Sequence, residues 1–146
     1  MNNSKAILIG SDHAGYALKE FVKAYLTELQ LPVEDCGVNS EASVDYSDIG
    51  LQVAQKISDD TGRRGILICG TGIGMSIAAN RIKSVRAALC NDLFSAAMSR
   101  RHNDANLLVM GGRVIGTELA KEIVRVWLDT AFEGGRHQRR IEKLDR

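Results

Sequence analysis

One proline, one tryptophan and three cysteines in 146 residues say first what this chain is not. Cys36, Cys69 and Cys90 are odd in number and form no C-x-x-C pair, and no secretory apolar segment precedes them. No disulfide framework is encoded, and reduced thiols in a cytoplasmic protein are expected. Charge of one sign is lacking too: 19 basic against 18 acidic residues leave a net charge of +1. Such a balance supplies no whole-chain field for nucleic acid or a membrane surface, so neither is expected as a partner. No apolar run approaches the roughly 20 residues that cross a bilayer. Linkers rich in proline, glycine or serine are also missing, so residues 1–146 read as a single domain. A hydrophobic share of 45% is enough for a real core.

What is present is an alternation of short apolar runs and amphipathic stretches. Ala6–Ile9 reads as a first strand, and Leu18, Val22, Tyr25, Leu26 and Leu29 follow at helical spacing until Pro32. Val33–Cys36 is a second strand. A polar loop from Asn39 to Asp48 then leads to a helix carrying Ile49, Val53 and Ile57. Ile66, Leu67 and Ile68 form the third strand, Arg86–Cys90 the fourth and Leu107–Met110 the fifth, with helices over Asp92–Arg100 and Thr117–Phe132. Five such units in series predict a three-layer α/β/α fold, a doubly wound five-stranded parallel sheet of the Rossmann or flavodoxin-like kind. The helix over Thr117–Phe132 carries two apolar stripes, Leu119, Ile123 and Trp127 beside Ala120, Val124, Leu128 and Ala131. Either it has one wide core-facing side or its second stripe meets another subunit.

In open parallel sheets, ligands bind outside the carboxyl ends of the strands. After strand one come Asp12 and His13, after strand three Cys69-Gly70-Thr71-Gly72-Ile73-Gly74, and after strand five Gly111, Gly112 and Arg113. The alternating glycines allow the backbone to aim N–H groups at an anion, and a helix starting near Met75 or Ser76 adds its positive end. Backbone potential of that sign favours a thiolate and a neighbouring oxyanion. Singly, Asp12 could be only a helix cap, His13 a surface residue and Cys69 a small core residue. Their common edge favours chemistry. Cys36 and Cys90 end strands with no such loop, and a packing role is expected for both. Near the end, Arg136 and Arg140 are spaced i,i+4, which on one helix sets two guanidinium groups side by side for a phosphate; a solvated basic tail is the alternative.

Four blocks, Ser11-Asp12-His13-Ala14-Gly15, Cys69 to Gly74, Ser99-Arg100-Arg101-His102-Asn103-Asp104 and Glu133-Gly134-Gly135-Arg136-His137-Gln138, closely resemble the signatures of the ribose-5-phosphate isomerase B family. The resemblance runs nearly end to end. It implies an aldose-ketose isomerase of ribose 5-phosphate and ribulose 5-phosphate that passes through an enediolate. Cys69 would be the base, Thr71 and His102 would open the sugar ring, and Asp12, His13 and Tyr46 would contact the sugar. The N–H groups of Gly70, Gly72, Ile73 and Gly74 would hold the enediolate oxygen, with Asn103, Arg113, Arg136 and Arg140 binding the rest of the sugar phosphate. Family members without the cysteine carry a glutamate where this chain has Met75, which sorts this chain with the thiol users. No metal or organic cofactor is implied.

The same family includes allose-6-phosphate and galactose-6-phosphate isomerases, so either sugar is an alternative. A nucleotide-binding or redox-sensing flavodoxin-like module is another, since Gly70-x-Gly72-x-Gly74 follows a strand and Asp92 could meet a ribose. Met75 stands where a dinucleotide fingerprint has glycine. Because Cys69 and His102 should lie at opposite sheet edges, a homodimer with shared sites is expected, and a tetramer stays open.

Overall fold

The computed structural model describes residues 5–145. Five strands, β1 (Ile7–Ser11), β2 (Val33–Asp35), β3 (Gly65–Cys69), β4 (Ala87–Leu89) and β5 (Leu107–Gly111), pair in the order β2-β1-β3-β5-β4, all parallel. Between them run α1 (Tyr16–Glu28), α2 (Tyr46–Asp59), α3 (Ile73–Ala79) and α4 (Leu93–Asn103), followed by α5 (Thr117–Asp129) and α6 (Arg136–Leu144). Every residue of β1, β3 and β5 is buried, as continuous apolar runs covered on both faces require.

Alternate side chains divide these strands between two cores. Ile7, Ile9, Ile66, Ile68, Leu108 and Met110 pack with α1, α4 and α5, whereas Leu8, Leu67, Leu107 and Val109 pack with α2 and α3. The sheet order places β5 directly beside β3, so the two loops at their carboxyl ends are neighbours.

Several boundaries differ from the sequence expectation for local reasons. Helix α3 starts at Ile73, because Gly72 already takes the left-handed conformation that ends the loop (φ 85°). Tyr46 opens α2 instead of lying in the preceding loop, and α4 continues to Asn103. The two stripes of α5 resolve as one wide inner side: Ala120, Ile123, Val124, Trp127 and Leu128 are buried within the chain, between the sheet and its neighbours α1 and α4. Leu119 and Ala131 are exposed, so α5 offers no second apolar stripe to a partner.

The outer edge carries one demanding ion network. Lys19 is completely buried, and its Nζ donates to Asp35 Oδ2 at 2.7 Å and Glu20 Oε2 at 2.9 Å. Lys23 donates to the same Asp35 oxygen at 2.9 Å. Burial by itself would raise the Asp35 carboxyl, but hydrogen bonds from Lys19, Lys23 and the Gly37 N–H take it from 3.8 down to about 2. The stabilisation is therefore complete above its unfolded value and is lost as pH falls through about 2. Asp35→Asn should cost about 2–3 kcal/mol near neutrality, since it leaves a buried ammonium with only Glu20. The gap from wild type should narrow between pH 4 and pH 2, as measured by urea unfolding.

Candidate active site

Cys69 is the last residue of β3 and is 5% exposed. The Gly72 N–H donates to its Sγ at 3.2 Å. That contact needs a tight loop, and Gly72 permits it: a Cβ there would clash with Leu89 Cδ1 and stand 3.1 Å from the Met110 carbonyl. The neighbouring loop is stitched alongside, with Gly112 N–H donating to Cys69 O at 2.8 Å and Arg113 N–H to Gly70 O at 2.9 Å. Arg113 thereby passes over Gly70, where a Cβ would meet its Nη1 at 3.8 Å. Thr71 is exposed, and its Oγ1 accepts the Ile73 N–H at 3.2 Å.

Asp12 and His13 reach the same edge from β1. Asp12 does cap a turn, accepting the Gly15 N–H on Oδ1 at 3.0 Å, and its carboxylate has a second oxygen to offer. His13 Nδ1 accepts the Val44 N–H at 3.2 Å, which leaves Nε2 to carry the proton of the neutral ring. Tyr46 lies against Gly74, where a Cβ would come within 2.6 Å of its ring. Asp12, His13, Tyr46, Cys69, Thr71 and Arg113 thus gather at one sheet edge, around the backbone of Gly70 to Gly74.

His102, Asn103, Arg136 and Arg140 form a separate group. His102 and Asn103 lie on the last turn of α4, ahead of β5, and so at the amino edge of the sheet. Arg136 and Arg140 stand one turn apart on α6, both exposed, and α6 packs against α4. His137 stacks on His102 with ring centres 4.3 Å apart. Burial first, then His102 and Arg136, hold the His137 imidazole below its usual range. Glu133 Oε1 lies 3.6 Å from His137 Nε2 and 3.9 Å from His102 Nε2.

Sequence spacing did not single out His137 and Glu133, which lie 31 or more positions beyond His102. Their donor atoms and that of His102 lie within 4.8 Å of one another. Such a set is of the type metals accept, but stacked rings send their lone pairs out in parallel instead of converging on one ion.

Of the other two thiols, Cys90 is buried in one core and Cys36 is half-buried against the other. Burial pushes Cys90 up to about 11 and raises Cys36 as well, so both are held as neutral thiols near neutrality.

Residues 7–144 match the profile of the Ribose/Galactose Isomerase family. The chain belongs to that family. Over 140 residues it is 47% identical to ribose-5-phosphate isomerase B of Escherichia coli, covering 96% of this chain and 94% of that one. It is 44% identical to the D-erythrulose-4-phosphate isomerase of Pectobacterium atrosepticum over 140 residues, 95% of this chain and 92% of that one. The solved ribose-5-phosphate isomerase B of Mycoplasma genitalium, with bound ribulose 5-phosphate, superposes with a TM-score of 0.94 at 42% identity, covering 98% of this chain and 95% of that one. The chain presents two groups of candidate residues at opposite edges of the sheet. Among the described residues, no helix is long and apolar enough to cross a membrane.

Proposed function

We propose that this chain is a cytoplasmic aldose-ketose isomerase that interconverts ribose 5-phosphate and ribulose 5-phosphate, with Cys69 as its base. The observation that carries the reading is the thiol seated in the Gly70–Gly74 loop, with a backbone N–H directed at its sulfur. After Thr71 and His102 open the ring, the C2 proton passes to the Cys69 thiolate. The C2–H electron pair forms the C1=C2 double bond, and the carbonyl pair moves onto O1. Backbone donors fixed in the loop stabilise that enediolate without reorganising. The thiol then returns its proton to C1, the O2–H proton passes to O1, and C2 becomes the carbonyl. The substrate's own carbonyl is the electron sink, so these steps call on no cofactor.

Each site is completed by a second copy of the chain, which brings His102, Asn103, Arg136 and Arg140 to the Cys69 edge. Exposed apolar side chains suit this arrangement: Ile73 and Ile77 on α3 are 55% and 60% exposed and lie beside the thiol loop. Asp12, His13 and Tyr46 contact the sugar, and Arg113 faces the phosphate from the Cys69 side.

The test is a side-by-side assay of ribose 5-phosphate, allose 6-phosphate, galactose 6-phosphate and erythrulose 4-phosphate. Ribose 5-phosphate should give the highest kcat/KM; a higher value for any other overturns the substrate assignment. Tight binding of flavin or nicotinamide nucleotides without sugar-phosphate turnover would overturn the isomerase reading. Arg136→Ala and Arg140→Ala should each raise KM roughly tenfold or more with a smaller effect on kcat, and weaken inhibition by inorganic phosphate. Lysine at either position should restore little, because it offers a point charge in place of a planar fork.

A further inference from the structure

The amino edge of the sheet holds a cavity of about 470 Å³ that the proposed reaction does not use. Four guanidinium groups line it: Arg63 and Arg64 just before β3, Arg86 just before β4, and Arg100 on α4. Three of them have carboxylate partners. Arg63 reaches Glu34 at 3.0 Å, Arg86 reaches Asp145 at 2.6 Å, and Arg100 reaches Asp104 at 2.8 Å. Among the described residues Arg64 has none, and its Nη1 is buried without a hydrogen-bond partner. Burial, and then repulsion from Arg100, disfavour its charge. A half-buried guanidinium with one orphaned nitrogen, lining the same cavity as a second guanidinium, is an arrangement that an anion would relieve.

We infer that this cavity is a second anion site, in which Arg64 and Arg100 bind a phosphate group, either free or carried by a small metabolite. Arg100 spends Nε on the Thr130 carbonyl and Nη1 on Asp104 and the Ala105 carbonyl, which leaves Nη2 beside the Arg64 guanidinium, and phosphate suits such a pair because its several oxygens accept from more than one donor at once. The volume lies in the range of small-molecule sites and exceeds what one tetrahedral ion fills. The site also has a structural link to the half-site at its rim. Arg100 precedes His102 by half a helical turn, and Arg86 Nε donates to the Asn103 carbonyl at 3.0 Å, so both arginines brace the turn that carries His102 and Asn103.

Calorimetric titration of the whole protein with inorganic phosphate tests the inference, in wild type, Arg136→Ala, Arg64→Gln and Ser84→Asp. Ser84 lines the cavity with φ 69°, a conformation aspartate tolerates, so Ser84→Asp puts a carboxylate there without removing a core group. A binding event present in wild type and in Arg136→Ala should weaken at least tenfold in Arg64→Gln and in Ser84→Asp. Glycerol 3-phosphate in the same titrations distinguishes the sources: tighter binding than phosphate marks a carried group, equal or weaker binding the free ion. Phosphate isotherms in both cavity variants that match wild type would overturn the inference, whatever becomes of isomerase activity.

Discussion

Cys69→Ala should lower kcat by roughly 1,000-fold or more, the upper part of the range for a positioned acid-base group, while KM changes little. Removing one sulfur atom at the rim of the α2–α3 core should cost only about 1 kcal/mol, so the variant should fold and bind sugar phosphate. Cys36→Ala and Cys90→Ala provide the contrast. Each removes the same sulfur atom, Cys90 from within a core and Cys36 from the margin of one, yet neither thiol lies beside the Gly70–Gly74 loop, and burial raises both above their usual range. Both variants should keep activity within about twofold of wild type, although Cys90→Ala should lose about 1–2 kcal/mol of stability. Alkylation is an independent check. Iodoacetamide near pH 7 should modify Cys69 first, with loss of activity that ribose 5-phosphate slows. Equal loss of activity in all three alanine variants would show that packing, not proton transfer, is what the cysteines supply.

The parallel sheet was readable from the chain because its inner strands are runs such as Ile66-Leu67-Ile68, which only a doubly covered sheet accommodates. The Cys69 edge was equally legible, since residues that follow strands in such a fold must collect there. Less local features were not. Tyr46 looked like a loop residue because the polar stretch before it gives no sign of where α2 begins. Its tie to Gly74 depends on a contact between α2 and α3 that neither segment encodes alone. His137 carried no assigned role in the sequence, because its partner His102 is brought to it only when α6 packs on α4 and the two rings stack. The apolar excess on α5 left a wide core-facing side and an interface both open, and α1 and α4, which flank the helix and cover it within the same chain, decide for the first. Arg64 offered no signal whatever, because its isolation follows from where every nearby carboxylate points.

Mixing Cys69→Ala and His102→Ala proteins through unfolding and refolding should restore activity that neither has alone. The reason lies in the sheet register. β3 and β5 run side by side, pairing Gly65 with Leu107 and Cys69 with Gly111. His102 precedes Leu107 on α4, so a full strand separates it from Cys69, about 17 Å. No one sugar phosphate lets both side chains of the same subunit touch its reacting carbons across that span. If the partner brings His102, Asn103 and the α6 arginines, a mixed dimer joins intact Cys69 from one chain to intact His102 from the other. Its second site carries both substitutions and is dead. Random pairing makes half the dimers mixed, each with one of two sites working, so activity should recover to about a quarter of wild type under two-fold symmetry. Substituting Ile77→Glu on the exposed side of α3 in both proteins should block the recovery, because an unpaired carboxylate would be buried at the contact. A refolded mixture that exchanges subunits yet stays inactive would place every catalytic group within one chain.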